Sequence, residues 1–131
     1  MKTAAFHILR VGIAITFIWI GVLILREPEV WGLGYIQPWA LNLMRLPVKD
    51  AMIFTAILDI VVGFLLLVDV GTWAASLAAS FHLMVVLVVS GINEITVRDI
   101  GLLAAAVSLF VCTVPSTVVT FVFRKNPETR Q

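Results

Sequence analysis

The chain has 131 residues, of which 61% are hydrophobic and only 13% are charged, and its formal net charge is +1. A water-soluble domain is about 45–50% apolar and about 25% charged, so this chain has too few polar side chains to cover a soluble globule. The composition therefore indicates that the protein is surrounded by lipid, and it excludes a disordered chain. The small net charge excludes nucleic-acid binding, and a single cysteine excludes an internal disulfide scaffold.

Four apolar stretches are each long enough to cross a hydrocarbon core of roughly 30 Å, which takes about 20 helical residues. They cover approximately residues 4–25, 51–68, 73–90 and 97–123. None of them has the alternating polarity of a barrel strand, and a helix lets a span pair all its backbone groups. We therefore predict an all-α fold in which residues 1–131 form one domain, an antiparallel bundle of four transmembrane helices embedded in the lipid bilayer.

The connections between the predicted helices differ greatly in length. Residues 69–72 form a tight turn containing Gly71, so the second and third helices are expected to be an antiparallel hairpin. Residues 26–50, by contrast, are a long loop rich in Pro, Gly and Trp, and a short interfacial helix is expected after Pro38. Trp31 and Trp39, together with Tyr35, are either anchors at the membrane surface or part of a lid over a ligand.

The distribution of positive charge predicts the orientation in the membrane. Four spans place both termini on one side, and cytoplasmic segments carry an excess of Lys and Arg. The terminal side carries Lys2, Arg10, Arg124, Lys125 and Arg130, and the other side carries Arg26, Arg45, Lys49 and Arg98. We expect the protein to lie in a bacterial or archaeal plasma membrane, which is the inner membrane in a cell that has two membranes. Both termini are expected in the cytoplasm and the long loop outside the cell.

Asp59 lies near the middle of the second span, where a carboxylate costs about 2.5–3.5 kcal/mol, so it is expected to face the bundle interior. Thr55 and Gly63 share its helix face. His82 lies at a similar depth in the third span, which predicts a contact between His82 and Asp59. This pair could carry a proton, bind a polar head group, or only satisfy two buried polar groups. With two distant histidines and one cysteine, the chain shows no metal-ligand spacing.

Two arginines have alternative interpretations. Arg10, near the start of the first span, either extends to the cytoplasmic surface or meets a carboxylate inside the bundle. Arg98 begins a stripe of small residues on the fourth span, with Gly101, Ala105, Ser108 and Cys112, which either packs closely against another helix or lines a slot for a ligand. Next to Arg98, Thr96 is expected to cap this helix, and Asp99 is either a capping acid or a ligand-binding group.

Several segments resemble the DoxX-like family of small four-helix membrane proteins. They are LRVGIAITFIWIGVLIL, REPEVWGLGYIQPW, LDIVVGFLLLV and TVRDIGLLAAAVSLF, which together span residues 9 to about 110. Some members of this family are linked to redox chemistry at the membrane, including a quinone-linked oxidoreductase, and relatives often have Glu where this chain has Asp59. The resemblance implies that Asp59, Arg98 and Asp99 are the polar positions to inspect, and that a redox role would use a quinone cofactor or a redox partner subunit.

Three functional hypotheses follow. The first is a redox-associated subunit that binds a quinone-like or lipid-like molecule between the helices, in a cavity that opens under the long loop and narrows at Asp59 and His82. The second is a small proton-coupled transporter in which Asp59 takes up the proton. The third is a membrane scaffold or chaperone subunit. A homo-oligomer is also compatible with the small-residue faces of the third and fourth spans.

Overall fold

The structure, a computed structural model, describes residues 3–123, which form helices and no strands. The helices are α1 (Ala4–Arg26), α2 (Pro28–Tyr35), α3 (Pro38–Leu43), α4 (Val48–Leu67), α5 (Thr72–Ser90), α6 (Thr96–Thr113) and α7 (Ser116–Phe123). Among them, α1, α4, α5 and α6 are long and apolar enough to cross a membrane. The predicted all-α class and the four spans are thus confirmed. Lys2, Arg124, Lys125 and Arg130 lie outside the described residues, and the orientation stays a prediction.

The four long helices alternate in direction and are arranged as two close pairs. α1 packs along α4 and α5 packs along α6, whereas α4 with α5 and α1 with α6 share much smaller contacts. We call the end with residues 68–71 the turn end and the end with α2, α3 and residues 91–95 the loop end. The main core joins all four helices towards the turn end; it includes Ala14, Phe17, Val62, Leu66, Ala75, Ala79, Ala106 and Leu109.

The outward surface of the long helices is strongly apolar. Large side chains such as Trp19, Phe54, Phe64 and Phe81 are between 56% and 70% exposed. In water this surface would be unfavourable, but within a bilayer it contacts lipid tails and adds no cost. The chain is therefore an integral membrane protein.

Two glycines allow α1 and α4 to approach each other closely. A Cβ atom on Gly63 would lie 2.9 Å from the Ala14 carbonyl oxygen, and one on Gly21 would lie 2.8 Å from that of Ala56. Each helix thus presents a glycine to the backbone of the other. Close backbone approach through small residues is a common means of helix association in lipid, where the hydrophobic effect does not drive helices together.

The long loop contains two short helices instead of the single one expected. Pro28 and Pro38 each lie in the first turn of a helix, where the missing N–H leaves no hydrogen bond unmade. Gly32 in α2 packs directly on Val48 and Met52 of α4. The first of these helices was missed because eight residues show too little periodicity to separate a helix from an irregular loop.

The fourth span is shorter than predicted. α6 ends at Thr113, and α7 begins at Ser116 beyond Pro115, so residues 97–123 are two helices and not one kinked helix. Proline cannot donate to the carbonyl four residues earlier, and its ring clashes with that carbonyl. The Thr113 hydroxyl donates to the Leu109 carbonyl oxygen at 2.6 Å and adds a bond in the last turn of α6.

Arg10 binds the turn end of α4 and does not extend to the surface. Its guanidinium is buried, donates to the carbonyl oxygens of Leu66 and Leu67, and lies 3.8 Å from a carboxylate oxygen of Asp69. The last carbonyls of a helix have no partner within it, and a cation is favourable there. The carboxylate expected as an alternative is thus present, and it belongs to the turn between α4 and α5.

Candidate functional site

A cavity of about 590 Å³ lies in the loop half of the bundle. All four long helices line it, together with α2 and α3, and most of the lining side chains are apolar. It exists because the two helix pairs meet in the core towards the turn end and separate towards the loop end. Its volume falls within the range of about 300–1,000 Å³ that is usual for small-molecule sites.

The segment containing α2 and α3 covers the loop end of this cavity. Trp31, Tyr35 and Trp39 all line it, and the ring centroids of Trp31 and Tyr35 lie 5.3 Å apart, with the ring planes tilted by 41°. The backbone N–H of Gln37, between the two helices, donates to the Val89 carbonyl oxygen at the end of α5, at 2.9 Å. This geometry favours the lid interpretation of the aromatic residues. α2 and α3 lie over the expected mouth under the loop, and the opening there stays a prediction.

Gln37 holds the lid in position, and no pattern in the sequence marked this residue. Besides its backbone bond to α5, its side-chain oxygen accepts a hydrogen bond from the indole N–H of Trp39 at 2.8 Å. Gly91, just after α5, has a φ of 67°, and a Cβ atom there would collide with the Gln37 amide. The lid is therefore fixed to the bundle at one polar residue that fits against a glycine.

Asp59 and His82 meet at the bottom of the cavity, as predicted. Oδ1 of Asp59 lies 3.1 Å from Nε2 of His82, and the two side chains are 6% and 13% exposed. This is an ion-pair distance, but the contact falls outside hydrogen-bond geometry. Within residues 3–123, Asp59 Oδ1 has no hydrogen-bond partner. An acceptor without a hydrogen bond in an apolar interior costs about 1–3 kcal/mol; the His82 contact offsets part of this cost, and a ligand with a donor would offset more.

Asp99 and Arg98 lie nearer the loop end of the same cavity. Asp99 is buried, whereas Arg98 is exposed at the cavity margin. The cavity thus has a line of ionisable groups on an otherwise apolar wall, from its margin to the middle of the bundle.

The start of α6 is held by a residue other than the one expected. The side-chain oxygen of Asn93 accepts hydrogen bonds from the N–H groups of Ile95 and Thr96, at 2.9 and 3.1 Å. Thr96 is inside the helix, where its hydroxyl donates to the Gly91 carbonyl oxygen. Thr96 is therefore not the N-cap, and Asp99, with its side chain in the cavity, is not paired with it in a capping box.

The small-residue stripe of α6 does not line the cavity. No atom lies within 4 Å of the position a Cβ would take on Gly101, and Ser108 and Cys112 are exposed. α6 is rotated so that Asp99 and Leu102 face the cavity. Because the helix is apolar or small on nearly every side, spacing alone could not determine this rotation.

Six residues were predicted to bind a ligand, and all of them line this one cavity: Trp31, Trp39, Asp59, His82, Arg98 and Asp99. Their role in binding stays a prediction. Thr55 also lines the cavity one turn above Asp59, and the four-residue spacing between them was the signal that could have added it to the set. No protein-family model, curated protein or solved structure matches this chain.

Proposed function

We propose that this membrane protein binds an elongated amphipathic molecule, quinone-like or lipid-like, inside the cavity, as a redox-associated subunit of the DoxX-like type. The observation that carries the proposal is the cavity itself, about 590 Å³ of mostly apolar space with Asp59 and His82 at its deepest point. Apolar walls with a few convergent polar groups are the usual composition of a site for such a molecule.

The polar groups suit a ring that bears oxygen atoms. The His82 imidazole can donate to a carbonyl oxygen or accept from a hydroxyl, depending on its tautomer. Oδ1 of Asp59, which accepts no hydrogen bond from the described residues, can accept from a ligand hydroxyl. The aromatic rings of Trp31 and Tyr35 offer flat surfaces above these groups. In a redox role, a partner subunit would exchange electrons with the bound molecule.

The structure supports the two other hypotheses less well. A scaffold protein needs no internal space, whereas this interior holds a cavity with a buried carboxylate oxygen that accepts no hydrogen bond from the described residues. A proton-coupled transporter must open its site to both sides of the membrane, and here the packed core between Phe17 and Leu109 closes the turn half. A site reached from one side is the arrangement that a binding subunit requires.

The test is the chemical content and binding behaviour of the purified protein. We expect organic extraction of the detergent-purified protein, followed by mass spectrometry, to yield a quinone or lipid close to one per chain. Binding of the reduced decyl-benzoquinol, whose hydroxyls can donate to Asp59, followed by quenching of tryptophan fluorescence, should weaken about 10- to 100-fold in Asp59→Asn and in His82→Phe, as loss of a buried polar contact predicts.

Asp50→Asn is the matched control, because Asp50 is an exposed carboxylate in the first turn of the same helix and does not line the cavity. Equal binding by the Asp50→Asn and Asp59→Asn variants would show that the Asp59–His82 pair is not part of a binding site. A protein that yields no extracted molecule and binds no quinone would favour the scaffold hypothesis.

A further inference from the structure

Several side chains that line the cavity are also on the lipid-facing surface. Phe54 of α4 is 70% exposed, and Phe81 and Val85 of α5 are 65% and 42% exposed, yet all three belong to the cavity wall. They therefore lie at a margin of the cavity, as do Trp39 and Leu43 of the lid, which are 48% and 74% exposed. The cavity is therefore open at the side, between the loop halves of α4 and α5, where these two helices have separated.

This opening lies at the depth of lipid tails. At a rise of about 1.5 Å per residue, Phe54 is roughly 9 Å from the loop end of α4 and Phe81 roughly 14 Å from the loop end of α5. A hydrocarbon core is roughly 30 Å thick, so one leaflet covers about half of that. The opening thus faces the hydrocarbon of the leaflet on the loop side.

The lid partly covers the route from the aqueous phase. α2 packs against α4, and Gln37 ties the junction of α2 and α3 to the end of α5. Both sides of the lid are therefore attached to the bundle. A second groove of about 600 Å³ runs between α1 and α6, but Arg98 and Asp99 lie in its wall, and an apolar chain would have to pass these charges.

We propose that the cavity takes its ligand sideways from the bilayer, through the gap between α4 and α5, and that the ligand's apolar tail stays in this gap. The inference rests on the proposed function and adds the path and the chemical class of the ligand. The class is a lipid-dissolved amphiphile whose compact head carries a hydroxyl donor, because Asp59 Oδ1 at the bottom of the cavity contacts His82 but accepts no hydrogen bond among the described residues. The apolar tail then occupies the space beside Phe54 and Phe81.

The experiment uses a benzoquinone with a decyl tail that ends in a diazirine, in its oxidised and reduced forms, and the full-length protein in phosphatidylcholine vesicles. After irradiation, mass spectrometry locates the labelled residues. We expect saturable labelling on α4 and α5 around residues 54, 81 and 85, with stronger binding of the reduced form, which carries the hydroxyls. Excess unlabelled decyl-benzoquinone should suppress this labelling.

A pair of matched variants tests the gap itself. Val85→Trp fills the gap and should weaken quinone binding about tenfold, a change worth ~1.4 kcal/mol. Val88→Trp, less than one turn away on α5, is the control, because Val88 is 63% exposed but does not line the cavity. It should bind like the unmodified protein, and both variants should keep the helical circular dichroism spectrum.

Each contrary result has a distinct meaning. Saturable labels confined to Trp39 and Met44 would show that the tail points towards the lid. Labels on Trp19 and Gly101 would show that the tail leaves through the groove between α1 and α6. Either result would refute the path between α4 and α5, although the molecule would still bind. Equal binding of the oxidised and reduced forms would refute the hydroxyl-bearing head. Absence of any saturable binding would refute the proposed function itself.

Discussion

Replacing Gly63 by alanine tests the close contact between α1 and α4. The new Cβ atom would lie 2.8 Å from Cγ1 of Ile18 and 2.9 Å from the Ala14 carbonyl oxygen. Non-bonded carbon atoms pack at about 3.5–4.0 Å, so the helices must separate by roughly half an ångström or more. The carbonyl belongs to the backbone of α1, which cannot yield by changing a rotamer. We expect a loss of about 1–3 kcal/mol in the free energy of unfolding, as for other overpacked cores.

Gly12→Ala is the control that isolates this effect. Gly12 lies in α1, but no atom is within 4 Å of its Cβ position, so alanine there only removes the helix penalty of glycine, about 1 kcal/mol. The difference between the two variants therefore measures overpacking alone. Unfolding by SDS in mixed micelles, followed by circular dichroism, gives both values. If Gly63→Ala were no more than ~0.5 kcal/mol less stable than Gly12→Ala, the close approach of α1 and α4 would be refuted.

Three further predictions concern the two ends of the bundle. Arg10→Met should lower the free energy of unfolding by about 1–3 kcal/mol, because the Leu66 and Leu67 carbonyls lose their hydrogen bonds from the buried guanidinium, whereas Arg26→Met, at an exposed position of α1, should change it by ~1 kcal/mol at most. Gly91→Ala should cost about 1–3 kcal/mol at the lid attachment and speed tryptic cleavage after Arg45, and an unchanged cleavage rate would show that the lid does not depend on this glycine. Pro115→Ala should allow α6 to continue towards α7, seen as slower amide hydrogen exchange at residues 114–117; exchange as fast as in the unmodified protein would mean that another feature ends α6.

The sequence predicted best where a polar residue lay in an apolar helix. Asp59 and His82 determined which faces of α4 and α5 point inward, because only one orientation removes both groups from lipid. The tight turn at Gly71 then fixed their relative depth. Two charges and one turn were thus enough to predict the contact at the bottom of the cavity.

Prediction failed for apolar helix faces, because an apolar side chain is equally favourable against lipid and in the protein interior. α6 is apolar or small on most sides, so its periodicity could not show that Gly101 faces outward and Leu102 inward. Arg10 was difficult for another reason, since its partners are backbone carbonyls whose position depends on how α4 ends. The sequence of the long loop likewise did not reveal that Gln37 would be held by the end of α5.

The two helix pairs suggest an order of events during biogenesis. α1 and α4 are consecutive spans, as are α5 and α6, so each pair can assemble from neighbouring segments as the chain enters the bilayer. Asp59 and His82 belong to different pairs and meet only when the pairs dock. Until then the carboxylate is inside the membrane without the imidazole, at a cost of about 2.5–3.5 kcal/mol. Docking relieves part of that cost, so the residues that form the cavity floor also favour completion of the bundle.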